Sequence, residues 1–342
     1  MPATPVQARR IVLAARPQGE PKETDFRTES FTPGEPAPGQ VLLESLYLSL
    51  DPYMRGRMSD AKSYAASVAV GQTIVGEVVA RVLASAAPAY AVGDLVLAHA
   101  GWTTHAVMDA KGLVKIDPAT APVETRLGVL GMPGFTAYAG LREIGRPRAG
   151  ETVVVAAASG PVGSLVGQLA KRAGARAVGI AGGAKKCAYV KDELGFDAVI
   201  DHRSGDMAQA LAAACPDGID VYFENVGGAV WEAVFPLLNT FARIPVCGLI
   251  ADYNGTRVDS GELTVPGLMR GVLTKRLTLR GFINYDLESY REDFLRDVGG
   301  GLRDGSIRHC EDISEGLDSA PQAFMGMLKG RNFGKVLVRL AQ

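Results

Sequence analysis

Short apolar runs, set off by Gly, Pro and Asp, occupy the first third of the chain. Residues 40–50, 73–83 and 94–100 read as strands of a turn-rich antiparallel unit, a barrel or sandwich with irregular loops. The pattern then changes. Residues 153–158 form an unbroken apolar run, as expected of a strand buried on both faces. A Gly-rich turn follows, then helical periodicity over 162–172. A second such strand covers Arg176–Ala181, a helix 185–194 and a short strand Ala198–Asp201, with further apolar runs at 219–224 and 242–249. Strand and helix alternating at this spacing predict an α/β fold with a doubly wound parallel sheet. The last segment predicts a helix over 320–329 and a strand over 335–340.

Composition narrows the function. The 36 basic and 37 acidic residues nearly cancel, leaving a formal net charge of −1. No segment is markedly basic, so neither a nucleic-acid nor a membrane partner has electrostatic support. Nowhere do about 18 apolar residues follow one another, so no spanning helix is expected. The four cysteines, Cys187, Cys215, Cys247 and Cys310, stand singly, with neither disulfide nor metal spacing. The N-terminal residues carry no apolar run of signal-peptide length. The expected location is the cytoplasm.

The strongest motif is Ala-Ser-Gly-Pro-Val-Gly at 158–163, a G-x-G-x-x-G pattern with alanine first. Between a strand and a helix, Gly160 lets the backbone approach a pyrophosphate, and Gly163 lets helix and strand pack closely. The helix start offers N–H groups and a positive dipole end to the phosphates. An NAD site usually presents an Asp or Glu about 20 residues beyond such a turn. Here the second strand ends at Ala181-Gly182-Gly183-Ala184, followed by Lys185 and Lys186. A ribose phosphate favours cations and is repelled by an acid, so NADPH is the expected cofactor. The bland reading of the two lysines is a solvated first helical turn.

A catalytic zinc needs three protein ligands, typically Cys and His. Upstream of Gly160 there is no cysteine, and His99 and His105, six apart in a β-like region, make no ligand motif. No metal is expected. Alcohol oxidation then lacks its usual Lewis acid. Hydride addition to an alkene already polarised by a carbonyl asks less: one or two hydroxyl donors can steady charge on the enone oxygen. Tyrosine supplies such a donor.

Several long strings resemble one family: Leu-Ser-Leu-Asp-Pro-Tyr-Met-Arg-Gly-Arg-Met at 48–58, Gly-Met-Pro-Gly-Phe-Thr-Ala-Tyr at 131–138 and Val-Tyr-Phe-Glu-Asn-Val-Gly-Gly at 221–228. Ala-Arg-Ile-Pro-Val-Cys-Gly at 242–248, Ala-Phe-Met-Gly-Met-Leu-Lys-Gly at 323–330 and Arg-Asn-Phe-Gly-Lys at 331–335 complete the set. Together they resemble the zinc-independent prostaglandin reductase, or leukotriene dehydrogenase, family of medium-chain dehydrogenases/reductases, which includes alkenal double-bond reductases and bacterial curcumin reductase.

The resemblance implies a GroES-like β-rich domain over 1–127, a Rossmann NADPH-binding domain inserted over 128–311, and a C-terminal segment, 312–342, completing the first. It also implies a homodimer. By motif, Gly160, Val162 and Gly163 hold the pyrophosphate and Lys186 the 2′-phosphate. Asn225 and the segment from Cys247 to Tyr253 line the nucleotide and nicotinamide. Phe282, Ile283 and Asn284 fall at the nicotinamide, and Asn332 returns to the cofactor. His202 is a departure: many relatives have tyrosine there, near the adenosine end, whereas this chain reads Asp201-His202-Arg203. Histidine can still stack, and Arg203 can add phosphate affinity.

Tyr253 matches the tyrosine with which the family holds the substrate carbonyl. The implied reaction is NADPH-dependent reduction of an enone or enal, with Tyr253 donating to the developing enolate and Tyr53 shaping or assisting the pocket. The plain alternative for each tyrosine is a packing role. Tyr64 borders the pocket in the same reading, Met132 is equally a core residue, and loops 60–70 and 252–266 set specificity. The rival functions are a quinone oxidoreductase on the same scaffold and a non-catalytic NADPH-binding protein.

Overall fold

The computed structural model describes residues 6–255 and 264–341. The chain divides into two compact units, Met1–Gly128 with Glu311–Gln342, and Val129–Cys310. The first holds strands β1 (Ala8–Leu13), β2 (Phe26–Phe31), β3 (Gln40–Ser49), β4 (Val78–Ser85), β5 (Leu95–Ala98), β6 (His105–Asp109) and β7 (Val114–Ile116). The second holds β8 (Thr152–Ala156), β9 (Arg176–Ala181), β10 (Ala198–Asp201), β11 (Ile219–Phe223), β12 (Leu238–Val246) and β13 (Thr278–Gly281). Strands β14 (Glu311–Glu315) and β15 (Lys335–Arg339) return to the first.

In the first unit the sheet order is β14-β15-β3-β4-β5-β7, with β6 paired to β3. Strand β15 runs antiparallel to β3, setting Leu337 opposite Ser49. The C-terminal segment is thus part of this unit's sheet. Its helix Ala320–Leu328 also enters the core: Phe324 meets Trp102 edge-on at 5.6 Å, and Trp102 stacks on Phe26 at 5.7 Å. Phe324 and Trp102 are fully buried.

In the second unit the order is β10-β9-β8-β11-β12-β13, and every pairing is parallel. Val153, Val154 and Val155 are wholly buried, as the unbroken apolar run requires. In chain sequence this is the 3-2-1-4-5-6 winding, whose direction reverses between β8 and β11. The strand ends at such a reversal open onto the crevice where this architecture binds ligands. The fold class is therefore as expected: a Rossmann sheet whose sequence is inserted within a β-rich unit.

Two expected elements end differently. The strand expected over 242–249 starts earlier, at Leu238, and stops at Val246. Beyond it the backbone N–H groups of Cys247 and Gly248 both donate to the Glu224 carbonyl, at 2.9 and 3.2 Å, which turns the chain out of the sheet. The helix expected over 185–194 is regular only over Ala184–Ala188 and then widens over Tyr189–Glu193. Strands β1, β2, β6, β7, β13 and β14 lie outside the elements expected from the sequence. Part of the expected specificity loop, residues 256–263, lies outside the described residues. Among the described residues no helix is long and apolar enough to cross a membrane.

Candidate functional site

The glycine turn forms because the helix Pro161–Arg172 starts directly on the end of β8. Gly160 is its N-cap in extended conformation, and Pro161 occupies the first helical position, where a missing N–H loses nothing. No side chain caps this end, so its first-turn amides, including those of Val162 and Gly163, have no intrahelical acceptors. A Cβ on Gly163 would stand 2.5 Å from the Ala157 carbonyl oxygen. Only glycine permits this approach of helix to strand. The turn itself is made by Ala157, at φ 52°, so its left-handed residue stands just ahead of the motif. An uncapped helix end on a side-chain-free cradle fits a pyrophosphate.

At the neighbouring strand end, Lys186 lies in the helix Ala184–Ala188 that follows β9, and His202 and Arg203 follow β10. Both of the latter side chains lie over Gly182: a Cβ there would stand 2.7 Å from His202 Nε2 and 2.8 Å from Arg203 Nε. Burial first, then the positive charges of Arg203 and Lys186, hold the His202 pKa below its ordinary value. Sequence reasoning missed Asp201. Its Oδ1 accepts from the backbone N–H of Gly183 at 2.8 Å and of Arg203 at 2.9 Å. These two bonds keep its carboxyl below the usual range. A carboxylate does reach this end, from the third strand rather than the second, and it is bound to its own turns.

Across the reversal point, the Asn225 side-chain amide donates to the Ala156 carbonyl at 3.1 Å, tying the ends of β8 and β11 together. The preceding residue, Glu224, is buried and was not singled out by the sequence. Its Oε1 accepts from Tyr222 Oη at 3.0 Å and from the N–H groups of Val226 and Gly227 at 2.7 and 2.9 Å. Burial raises its pKa despite these bonds. The Cys247 thiol is pushed up to about 12 by burial and then by the Glu224 carboxylate, so it is a packing group rather than a nucleophile.

Tyr253 follows the short turn Ile250–Asp252, its N–H on the Ile250 carbonyl at 3.3 Å. The chain folds back so that its hydroxyl sits over Gly248: a Cβ there would stand 3.1 Å from Tyr253 Oη and 3.7 Å from the Asn225 carbonyl oxygen. Asn225, Cys247 and Tyr253 are therefore brought together at the crevice. Phe282 is buried beyond β13, edge-on to Phe223 at 6.2 Å and pressed against Gly140, and Ile283 and Asn284 begin the following turn.

Tyr53 and Asn332 belong to the first unit. Tyr53 opens the short helix Tyr53–Arg57, where burial, then Asp51 and Glu77, raises its phenol pKa well above the usual value. It is a neutral hydroxyl at any physiological pH. The Asn332 amide donates to the Gly334 carbonyl at 2.8 Å. His99 lies 3.7 Å from Glu77, and His105 Nδ1 lies 3.0 Å from the Thr104 hydroxyl. Among the described residues no group of three or more His, Cys, Asp and Glu side chains is placed to hold a metal ion.

Comparison with known proteins fits this geometry. A family model described as the N-terminal domain of oxidoreductase matches residues 9–116, and one described as zinc-binding dehydrogenase matches 161–298. Over 334 residues, covering 97% of each chain, the sequence is 52% identical to the NADPH-dependent curcumin reductase of Escherichia coli (strain K12). The chain belongs to the prostaglandin reductase and alkenal double-bond reductase family. Another member, the NADP(+)-dependent 2-alkenal reductase of Nicotiana tabacum, is 39% identical over 346 residues, 99% of each chain. The crystal structure of CurA from Vibrio vulnificus in complex with NADPH superposes with a TM-score of 0.94 at 49% identity, covering 98% of this chain and 99% of that one.

Proposed function

We propose that the protein is an NADPH-dependent reductase of the carbon–carbon double bond of α,β-unsaturated aldehydes and ketones. The observation that carries this reading is the Tyr253 hydroxyl, placed over Gly248 and beside Asn225 at the reversal point of the sheet. The relatives that reduce curcumin and 2-alkenals support the substrate class.

In this reading Gly160, Val162 and Gly163 receive the pyrophosphate on the helix end, and Lys186 the 2′-phosphate. Asn225, Cys247, Phe282, Ile283 and Asn284 line the nicotinamide side. When bound, NADPH supplies a hydride from nicotinamide C4 to the substrate β-carbon. Tyr253 donates a hydrogen bond to the carbonyl oxygen, where negative charge accumulates as the enolate forms. A neutral donor aimed at that oxygen stabilises the transition state more than the ground state, which is what accelerates a reaction. No metal is required, because the conjugated carbonyl already polarises the alkene. Tyr53, a phenol that stays protonated, assists in the substrate pocket.

The reading includes a homodimer and a cytoplasmic setting. The dimer is supported by β13, an end strand with all four residues exposed, and by Leu273 and Met269, which are 76% and 61% exposed on the helix Val265–Lys275. The setting is supported by the four cysteines, which are all free thiols.

The test is turnover of 2-alkenals and aryl enones with NADPH deuterated at the transferable C4 position. Label at the β-carbon and a solvent proton at the α-carbon are expected. Cofactor binding without turnover on any enone would reject the enzyme reading in favour of a binding protein.

A further inference from the structure

Glu224 pairs with Val246 where β11 and β12 part, and it is only 2% exposed. A buried carboxyl lowers stability unless polar partners meet it. Here the partners are two consecutive peptide groups of the next loop. Oε1 accepts from Val226 N–H at 2.7 Å and from Gly227 N–H at 2.9 Å. A trans peptide is planar, so its N–H and C=O point in opposite directions. Drawing both N–H groups onto one oxygen therefore turns the Asn225 and Val226 carbonyls the other way. Those two carbonyls accept from Ile250 N–H at 3.3 Å and Ala251 N–H at 3.0 Å. The Glu224 carbonyl takes the start of the same segment, accepting from Cys247 and Gly248. Tyr253 follows at once, its N–H on the Ile250 carbonyl and its hydroxyl over Gly248. Main chain and side chain of one residue thus hold both ends of the segment that carries the tyrosine.

We propose that Glu224 is the positioning residue for the Tyr253 hydroxyl, acting through the peptide groups of residues 225–227 on the segment 247–253. The inference rests on Tyr253 as the donor to the enone oxygen and adds the residue that aims it. Glu224 itself touches neither substrate nor cofactor. Tyr222 Oη, which donates to the same Oε1 at 3.0 Å, holds the carboxyl in place from the strand side. A donor to a developing oxyanion acts only at contact distance, and a misplacement of about 1 Å costs about 10²-fold in rate. Without the acceptor the two peptide groups are free to turn, the carbonyls leave Ile250 and Ala251, and the hydroxyl loses its fixed place.

The experiment is a double-mutant cycle read as kcat/KM for a 2-alkenal at saturating NADPH, with folding checked by circular dichroism. Glu224→Leu keeps the bulk and removes the acceptor. It should lower kcat/KM about ten- to a hundredfold in the wild-type background. In Tyr253→Phe, which has no hydroxyl to misplace, the further loss should be less than about threefold. Glu224→Gln keeps an acceptor oxygen for both amides and should recover most of the activity. Should Glu224→Leu fail to fold, Gly227→Ala strikes the same contact with the Glu224 side chain in place. Its methyl meets Leu249 Cδ2 at 3.2 Å, and its loss should likewise vanish in Tyr253→Phe. Equal losses in the two backgrounds, or full activity in the variant tested, overturn the assignment of Glu224. Undiminished activity in Tyr253→Phe alone overturns instead the donor reading on which it rests.

Discussion

Lys335 Nζ lies 2.7 Å from Asp51 Oδ1, with the two side chains only 3% and 5% exposed. The ammonium also donates to the Leu50 carbonyl at 2.7 Å, and Asp51 accepts from the Ser49 hydroxyl. The pair joins the Asp-Pro-Tyr string of the first strands to the last strand of the chain, 284 residues later. It sits two residues before Tyr53. Buried pairs of this kind add little net stability but are costly to break from one side.

Lys335→Met should therefore destabilise the protein by about 3–5 kcal/mol, because Asp51 is left as a buried charge with only a hydroxyl partner. Pairing it with Asp51→Asn should recover much of the loss. Urea denaturation of the single and double variants checks this, and additive effects would contradict it.

Tyr253→Phe keeps the ring and removes the donor. The expected result is a fall in kcat/KM on an enone of order 10²-fold, with NADPH affinity nearly unchanged. Full activity in this variant would remove Tyr253 from the mechanism.

Gly163→Ala places a methyl 2.5 Å from the Ala157 carbonyl oxygen. Helix and strand must separate, which costs about 1–3 kcal/mol and withdraws the amides from the pyrophosphate. NADPH binding by fluorescence titration should weaken more than tenfold while circular dichroism stays native. Gly160 is the less crowded position, its Cβ meeting only Ala157 O at 3.2 Å, so Gly160→Ala should be milder.

Glu224 makes a stability prediction with a definite sign. Its folded pKa is raised above the ordinary 4.5, so the folded state holds the proton more tightly than the unfolded chain. Stability should fall as pH rises from about 4.5 through the raised value, then level off. Glu224→Gln keeps an oxygen for Tyr222, Val226 and Gly227 and does not titrate, so its melting temperature should be flat over that window. Parallel pH profiles for the two proteins would refute the account.

The motif at 158–163 was legible because a strand, a glycine turn and a helix within about 20 residues interact locally, and backbone sterics dictate which residues the turn accepts. The family strings were legible for the same reason: they are contiguous. Asp201 and Glu224 were not. Each acts through backbone amides whose positions depend on how neighbouring strands align. Nothing in the isolated string Ile-Asp-His-Arg says that its carboxylate will hold Gly183, eighteen residues earlier. The early end of β12 was hidden likewise, since residues 247–249 are as apolar or small as the strand before them, and only the Glu224 carbonyl turns them aside.

By itself the sequence determined the periodicities that make a parallel, two-face-buried sheet, the glycines that let a helix start close against β8, and the family. These follow from side-chain volume, backbone freedom and contiguous pattern. Only the tertiary structure decided that Tyr253 turns back over Gly248, that Arg203 and His202 share the space above Gly182, and that Lys335 neutralises Asp51. Those pairings depend on strand order and register, which bring together groups whose attraction or steric fit is felt only at contact distance.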